Sequence, residues 1–188
     1  MINEKRLMAR MREIFKTAGY RVGNIMMNGT EWLIVSTGAW LVRIPAADVG
    51  RELKSQIVLH TGELPGKPVM VQKDSGVQIL VEGELQNTVK ELFSAPDSLE
   101  TCHPTPLTLR GKEVWQDESG HCCLFSGDLT GLVQEEEDAP VERRMGNRSM
   151  ILDCGMGSVY MIASVNRPEE REQLEHLSGY DWTGGGDG

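Results

Sequence analysis

Along residues 3–18, the apolar side chains Leu7, Met11, Ile14, Phe15 and Ala18 recur at helical spacing. The pattern predicts an amphipathic helix that Asn3 caps and that Gly19 ends in a left-handed conformation. From residue 20 the period changes to two. Residues 20–44 read as a three-stranded meander, turning at Asn28-Gly29 and at Thr37-Gly38. Trp32, Ile34 and Ser36 share one face and Leu33 and Val35 the other, so both faces are expected to be covered.

The same alternation of helix and meander continues. Val49, Leu53 and Ile57 predict a helix from Asp48 to His60, with Asp48 as its cap. The hairpin "PVMVQ"–"KDSG"–"VQILVEG" follows, and then a helix at about 84–94. Strands "TPLTLR", "KEVWQ" and "HCCLF" come next. Residues 134–148 read as a charged loop. The hairpin "SMILD"–"CGMG"–"SVYMIASV" and a helix over 167–178 with Pro168 in its first turn close the pattern. The fold class is α+β, mainly antiparallel sheet built from helix-plus-meander units, with a C-terminal helix. Residues 1–180 are expected to form one compact domain, with 96–104 as the place where it would divide, and 181–188 a flexible tail.

Charge changes this picture. The formal net charge is −9, but residues 1–21 hold six basic and two acidic side chains, a local +4 that leaves −13 elsewhere. Lys5, Arg6, Arg10, Arg12 and Lys16 lie mainly off the apolar stripe and are candidate contacts to phosphates or to an acidic partner. The candidate partner-binding residues on the acidic side are Asp128, Glu135, Glu136, Glu137, Asp138, Glu169, Glu170 and Glu172, together with Trp182. His60 and His176 fall at helix C-termini, where the dipole favours a cation. No apolar run is long enough for a membrane span, and the N-terminus has no signal-like apolar core, so a cytosolic protein is expected.

Candidate chemistry narrows the classes further. His121, Cys122 and Cys123 stand side by side, and Cys102, His103 and Cys154 would complete a zinc ligand set. The spacing argues against it, because adjacent residues of a strand diverge and no C-x2-C knuckle is present. The cysteines are therefore read as core, and neither metal nor cofactor is expected. A Cys/His zinc-dependent enzyme is the alternative. "GMGSVY" is followed by β-rich sequence rather than a helix, so it reads as a hairpin turn and not a dinucleotide loop. There is no G-x-S-x-G elbow and no Walker loop, and a non-enzymatic protein is expected.

Two resemblances carry functional implications. "IVSTGAWLVRIP", Ile34 to Pro45, is similar to the strand–turn–strand of DNA sliding clamps, in which a "TDG" turn leads into an "L-x-R" strand. It departs at Ser36-Thr37-Gly38, which lacks the aspartate, and the chain is short for a two- or three-domain clamp subunit. The resemblance implies an accessory of DNA replication that touches DNA through the basic first helix. In overall character, acidic, Met-rich and without catalytic signatures, the chain resembles phage or mobile-element anti-CRISPR proteins that inhibit Cas9. That resemblance implies a phage-encoded inhibitor whose partner is a basic, nucleic-acid-binding protein surface, with no membrane partner.

Overall fold

The structure is a computed structural model that describes residues 1–81, 83–93, 99–136, 140–146, 148–164 and 167–182. The chain begins with α1 (Glu4–Phe15), β1 (Tyr20–Met27), β2 (Thr30–Ser36) and β3 (Trp40–Pro45). It continues through α2 (Arg51–Thr61), β4 (Val69–Gln72), β5 (Gly76–Ile79) and α3 (Glu84–Phe93). The second half holds β6 (Glu100–Leu109), β7 (Lys112–Asp117), β8 (Cys122–Phe125) and the short α4 (Gly127–Thr130). Last come β9 (Glu142–Met145), β10 (Ser149–Asp153), β11 (Ser158–Ile162) and α5 (Pro168–Leu177). Among the described residues, no helix is long and apolar enough to cross a membrane.

All strands join one sheet in the order β5-β4-β1-β2-β3-β11-β10-β9-β6-β7-β8, with antiparallel neighbours. The two-residue turns are those that twisted hairpins favour. Asn28-Gly29 have φ of 51° and 79°, and Arg110-Gly111 have 52° and 76°. The halves meet where β3 pairs β11, Val42 opposite Val159. Across that seam Arg43 donates to Ser158 Oγ at 2.8 Å and to Asp153 Oδ2 at 3.2 Å.

Both sheet faces are covered, as the alternation in β2 predicts. Val22, Leu33, Val35, Val42 and Val159 pack one face against Leu7 and Met11 of α1 and Leu53 and Ile57 of α2. On the other face α3 covers Ile25, Ile34 and Leu41 with Leu85 and Val89. Farther along that face α5 covers Val114, Cys122 and Leu124 with Leu174. The adjacent cysteines thus divide as the strand reading requires, Cys122 to the α5 side and Cys123 to the main core with Cys102.

Two expectations are corrected. α2 starts at Arg51 with Gly50 as its cap residue, not at Asp48, because Glu4 of α1 accepts from the Gly50 N–H at 2.8 Å and takes over the capping role. The segment read as a charged loop contains β9, whose Glu142 to Met145 pair with Asp153 to Met150. Buried Val141 and Met145 hold it to the core, while Arg143 and Arg144 hide the strand pattern in the sequence.

The two sheet edges differ. Along β8 the Leu124 carbonyl accepts from the Ser164 N–H at 2.9 Å, and Ser178 Oγ accepts from the Cys122 N–H at 3.1 Å. The β5 edge carries Val77, 45% exposed, and Ile79, 74% exposed. Leu80 N–H donates to the Pro68 carbonyl at 3.0 Å, which by alternation turns the amides and carbonyls of Val77 and Ile79 outward.

Candidate nucleic-acid interface

The basic residues of the first helix owe their placement to its apolar face. Asn3 Oδ1 accepts from the Arg6 N–H at 3.1 Å and fixes the start. Leu7, Met8, Met11 and Ile14 then turn inward, which leaves Lys5, Arg12 and Lys16 exposed on one outward stripe. α2 buries Leu53, Gln56 and Ile57 and exposes Arg51. The helices are pinned together at both ends. The Glu4 carboxylate meets Gly50 at their starts, and the Phe15 and His60 rings stack at 4.0 Å, with 5° between planes, at their ends. α1 and α2 therefore run parallel and share one outer face.

That face is positive. Residues 4–16 and 51–61 together hold seven basic side chains, Lys5, Arg6, Arg10, Arg12, Lys16, Arg51 and Lys54, against Glu4, Glu13 and Glu52. Two of the three acids are engaged internally, Glu4 at Gly50 and Glu13 in an ion pair with Arg10 at 2.6 Å. Arg10 is thereby drawn sideways and half-buried. Arg6 departs from the stripe and leans over Gly131, where an added Cβ would fall 1.7 Å from its Nη1.

His60 does not act as the cation expected at a helix C-terminus. Its ring nitrogens lie 2.7 Å from Tyr20 Oη and 2.7 Å from Gln56 Nε2. Burial, followed by the nearby Arg12 charge, lowers its pKa from 6.5. Removal from water outweighs the dipole here.

The acidic candidates do not form one surface. Glu136 lines a groove at the start of α1, whereas Glu169 and Glu172 sit on α5 beyond the opposite sheet face. Asp128 is exposed at the first turn of α4, and Glu135 is ion-paired with Arg143. Glu137 and Asp138 lie outside the described residues. Glu170 is corrected outright, because it is buried and accepts from the Arg167 N–H at 2.7 Å. That bond, helped by Lys112 and Arg110, keeps its carboxyl below the usual carboxylate range. Trp182 is also turned to the body. Its N–H donates to Gln116 Oε1 at 3.0 Å and its Nε1–H to the Leu177 carbonyl at 3.1 Å.

The four cysteines are buried, and none is in a disulfide. Burial pushes the Cys102 and Cys123 thiols up to about 12. His121 Nδ1 lies 3.9 Å from Cys123 Sγ and 3.5 Å from Asp117 Oδ2, so one nitrogen faces both groups. Among the described residues no group of three or more His, Cys, Asp or Glu side chains is arranged to hold a metal ion.

No protein-family model and no curated protein matches the chain. Similar solved structures include a protein designated a DNA polymerase III beta subunit from Eubacterium rectale, at TM-score 0.39 and 10% identity, over 92% of this chain and 66% of that one. A DNA polymerase III subunit beta sliding clamp from Bartonella birtlesii gives TM-score 0.39 and 12% identity, over 91% and 64%. The H. pylori beta clamp in complex with 5-chloroisatin gives TM-score 0.34 and 6% identity, over 91% and 65%. The chain spans less than two-thirds of the length of each.

Sequence reasoning missed Arg51 and Lys54, because the partnership of α1 and α2 rests on contacts distant in sequence. The glycine at position 50 was the available signal. An added Cβ would stand 2.3 Å from Glu4 Oε2, so this helix start leaves room only for a carboxylate arriving from elsewhere.

Proposed function

We propose that the protein is a non-catalytic, DNA-binding accessory of the sliding-clamp kind, working in the cytosol, and that the joint outer face of α1 and α2 takes the phosphate backbone. The observation that supports this reading is the pinned, parallel pair of helices presenting Lys5, Arg12, Lys16 and Arg51 on an otherwise acidic protein. Lys5 and Lys16 stand roughly 16 Å apart along the α1 axis, from a rise of about 1.5 Å per residue. Such a row neutralises several phosphates and releases their counterions, so affinity falls steeply with salt. Protonated, buried thiols fit a role without nucleophilic or metal chemistry.

The test is fluorescence anisotropy of duplex and single-stranded DNA over a salt series. Lys5→Gln/Arg12→Gln/Lys16→Gln should weaken binding at least about tenfold and flatten the log–log salt slope by about 3. A wild-type protein that binds neither DNA at low salt sinks the reading.

A second reading is favoured by α5. Glu169, Glu172 and Glu175 repeat every three residues on its exposed side. Such a stripe fits inhibition of a basic, nucleic-acid-binding effector such as Cas9 by occupying the surface that holds nucleic acid. If that holds, Glu169→Lys/Glu172→Lys/Glu175→Lys abolishes capture of the effector and leaves DNA binding through α1 intact. Undiminished capture by this variant removes the inhibitor reading alone.

A further inference from the structure

The outer edge of β8 borders a second site, unrelated to the α1–α2 face. Asp117 N–H donates to the His121 carbonyl at 3.1 Å, and Trp115 stands opposite Cys123. By alternation the amides and carbonyls of Cys122 and Leu124 point away from β7. The Cys122 N–H and the Leu124 carbonyl are engaged by Ser178 and Ser164. The Leu124 N–H and the Cys122 carbonyl remain without a partner among the described residues.

Cys122 and Cys123 bring this edge to a cleft of about 410 Å³ beneath α5. Arg148 and Arg171 both line it. Arg43, Arg110, Arg143 and Arg144 are all ion-paired, whereas Arg148 and Arg171 are in no ion pair among the described residues. Among the described residues Glu175 is the one carboxylate lining the cleft, and against it stand two guanidiniums, a positive balance. His121 adds a ring nitrogen and Ser164 a hydroxyl. Ile162, 43% exposed, and Leu174 supply an apolar wall.

We propose that this cleft binds a small organic anion. Its carboxylate or phosphate meets Arg148 and Arg171, and its apolar body lies along Ile162 and Leu174. Two unpaired guanidiniums beside an apolar wall form the donor set that an anion of this shape requires.

The experiment is a proton–nitrogen NMR titration of the full chain with three probes: N-acetyl-leucine, its neutral amide N-acetyl-leucinamide, and inorganic phosphate. N-acetyl-leucine or phosphate is expected to shift the Ser164 and Arg171 amide signals, and the neutral amide to leave them in place. A response to phosphate alone identifies a phosphate-type ligand, and a response to N-acetyl-leucine alone a carboxylate with an apolar body. Arg148→Gln/Arg171→Gln should weaken binding at least about tenfold, in a protein whose remaining spectrum shows it folded. Glu175→Gln should tighten it. Neither anion binding by about 20 mM, equal binding of the neutral amide, or unchanged affinity in the double arginine variant overturns the proposal.

Discussion

The guanidinium of Arg43 lies 4.0 Å from the centre of the Phe93 ring and 4.9 Å from that of Trp32. It also donates to Asp153 and Ser158, so one side chain ties α3 and the first-half sheet to the β10–β11 hairpin. Arg43→Met should destabilise the fold by about 2 kcal/mol, since Asp153 loses its ionic partner in a half-buried setting. Arg43→Lys should recover only part of this, because an ammonium lacks the planar fork and stacks less well. Urea denaturation measures both, and an Arg43→Met variant as stable as wild type contradicts the account.

His60 links the fold to pH. Its folded pKa is lowered from 6.5 by burial and by Arg12. Its contribution to stability is therefore complete above the unfolded value, about 6.5, and is lost as pH falls through the lower folded value. His60→Gln should remove this part of the decline. Urea midpoints between about pH 5 and 8 measure it, and parallel profiles for the two proteins refute it.

The thiols should be silent in the folded protein. With Cys102 and Cys123 at about 12, thiolate is scarce at neutral pH, and burial blocks access as well. Their alkylation by iodoacetamide should run at least about 100-fold slower than in denaturant, where all four cysteines react. Rapid labelling of Cys123 in the native state would restore the redox or metal reading.

Ser36 is 2% exposed, and its hydroxyl has no hydrogen-bond partner among the described residues. Ser36→Ala should be neutral or stabilise the protein by up to about 1 kcal/mol, since an unpaired buried hydroxyl is removed with little loss of volume. A clear drop in thermal midpoint would show that the hydroxyl has a partner.

Local periodicity carried much of the fold. The stripe Leu7–Met11–Ile14 gives α1, and Asn28-Gly29 and Arg110-Gly111 give hairpins, because each signal is complete within a few residues. β9 was hidden because Glu142–Met145 becomes a strand only through its neighbours β10 and β6. The site was half legible. Lys5, Arg12 and Lys16 follow from helical spacing, while Arg51 joins them only through the contacts of Glu4 and Phe15. Glu170 resembled its acidic neighbours, yet it precedes Leu174 by one helical turn, the spacing of a shared inward face.

The unequal ends of the sheet limit what association can build. A strand from a second molecule can extend the β5 side at Val77 and Ile79, whereas Ser164 and Ser178 stand across the β8 side and block a strand there. Fibre growth by strand addition requires two open ends on every subunit. With a single open end, two copies joined through β5 have nothing further to offer, and polymerisation by this route stops at a pair.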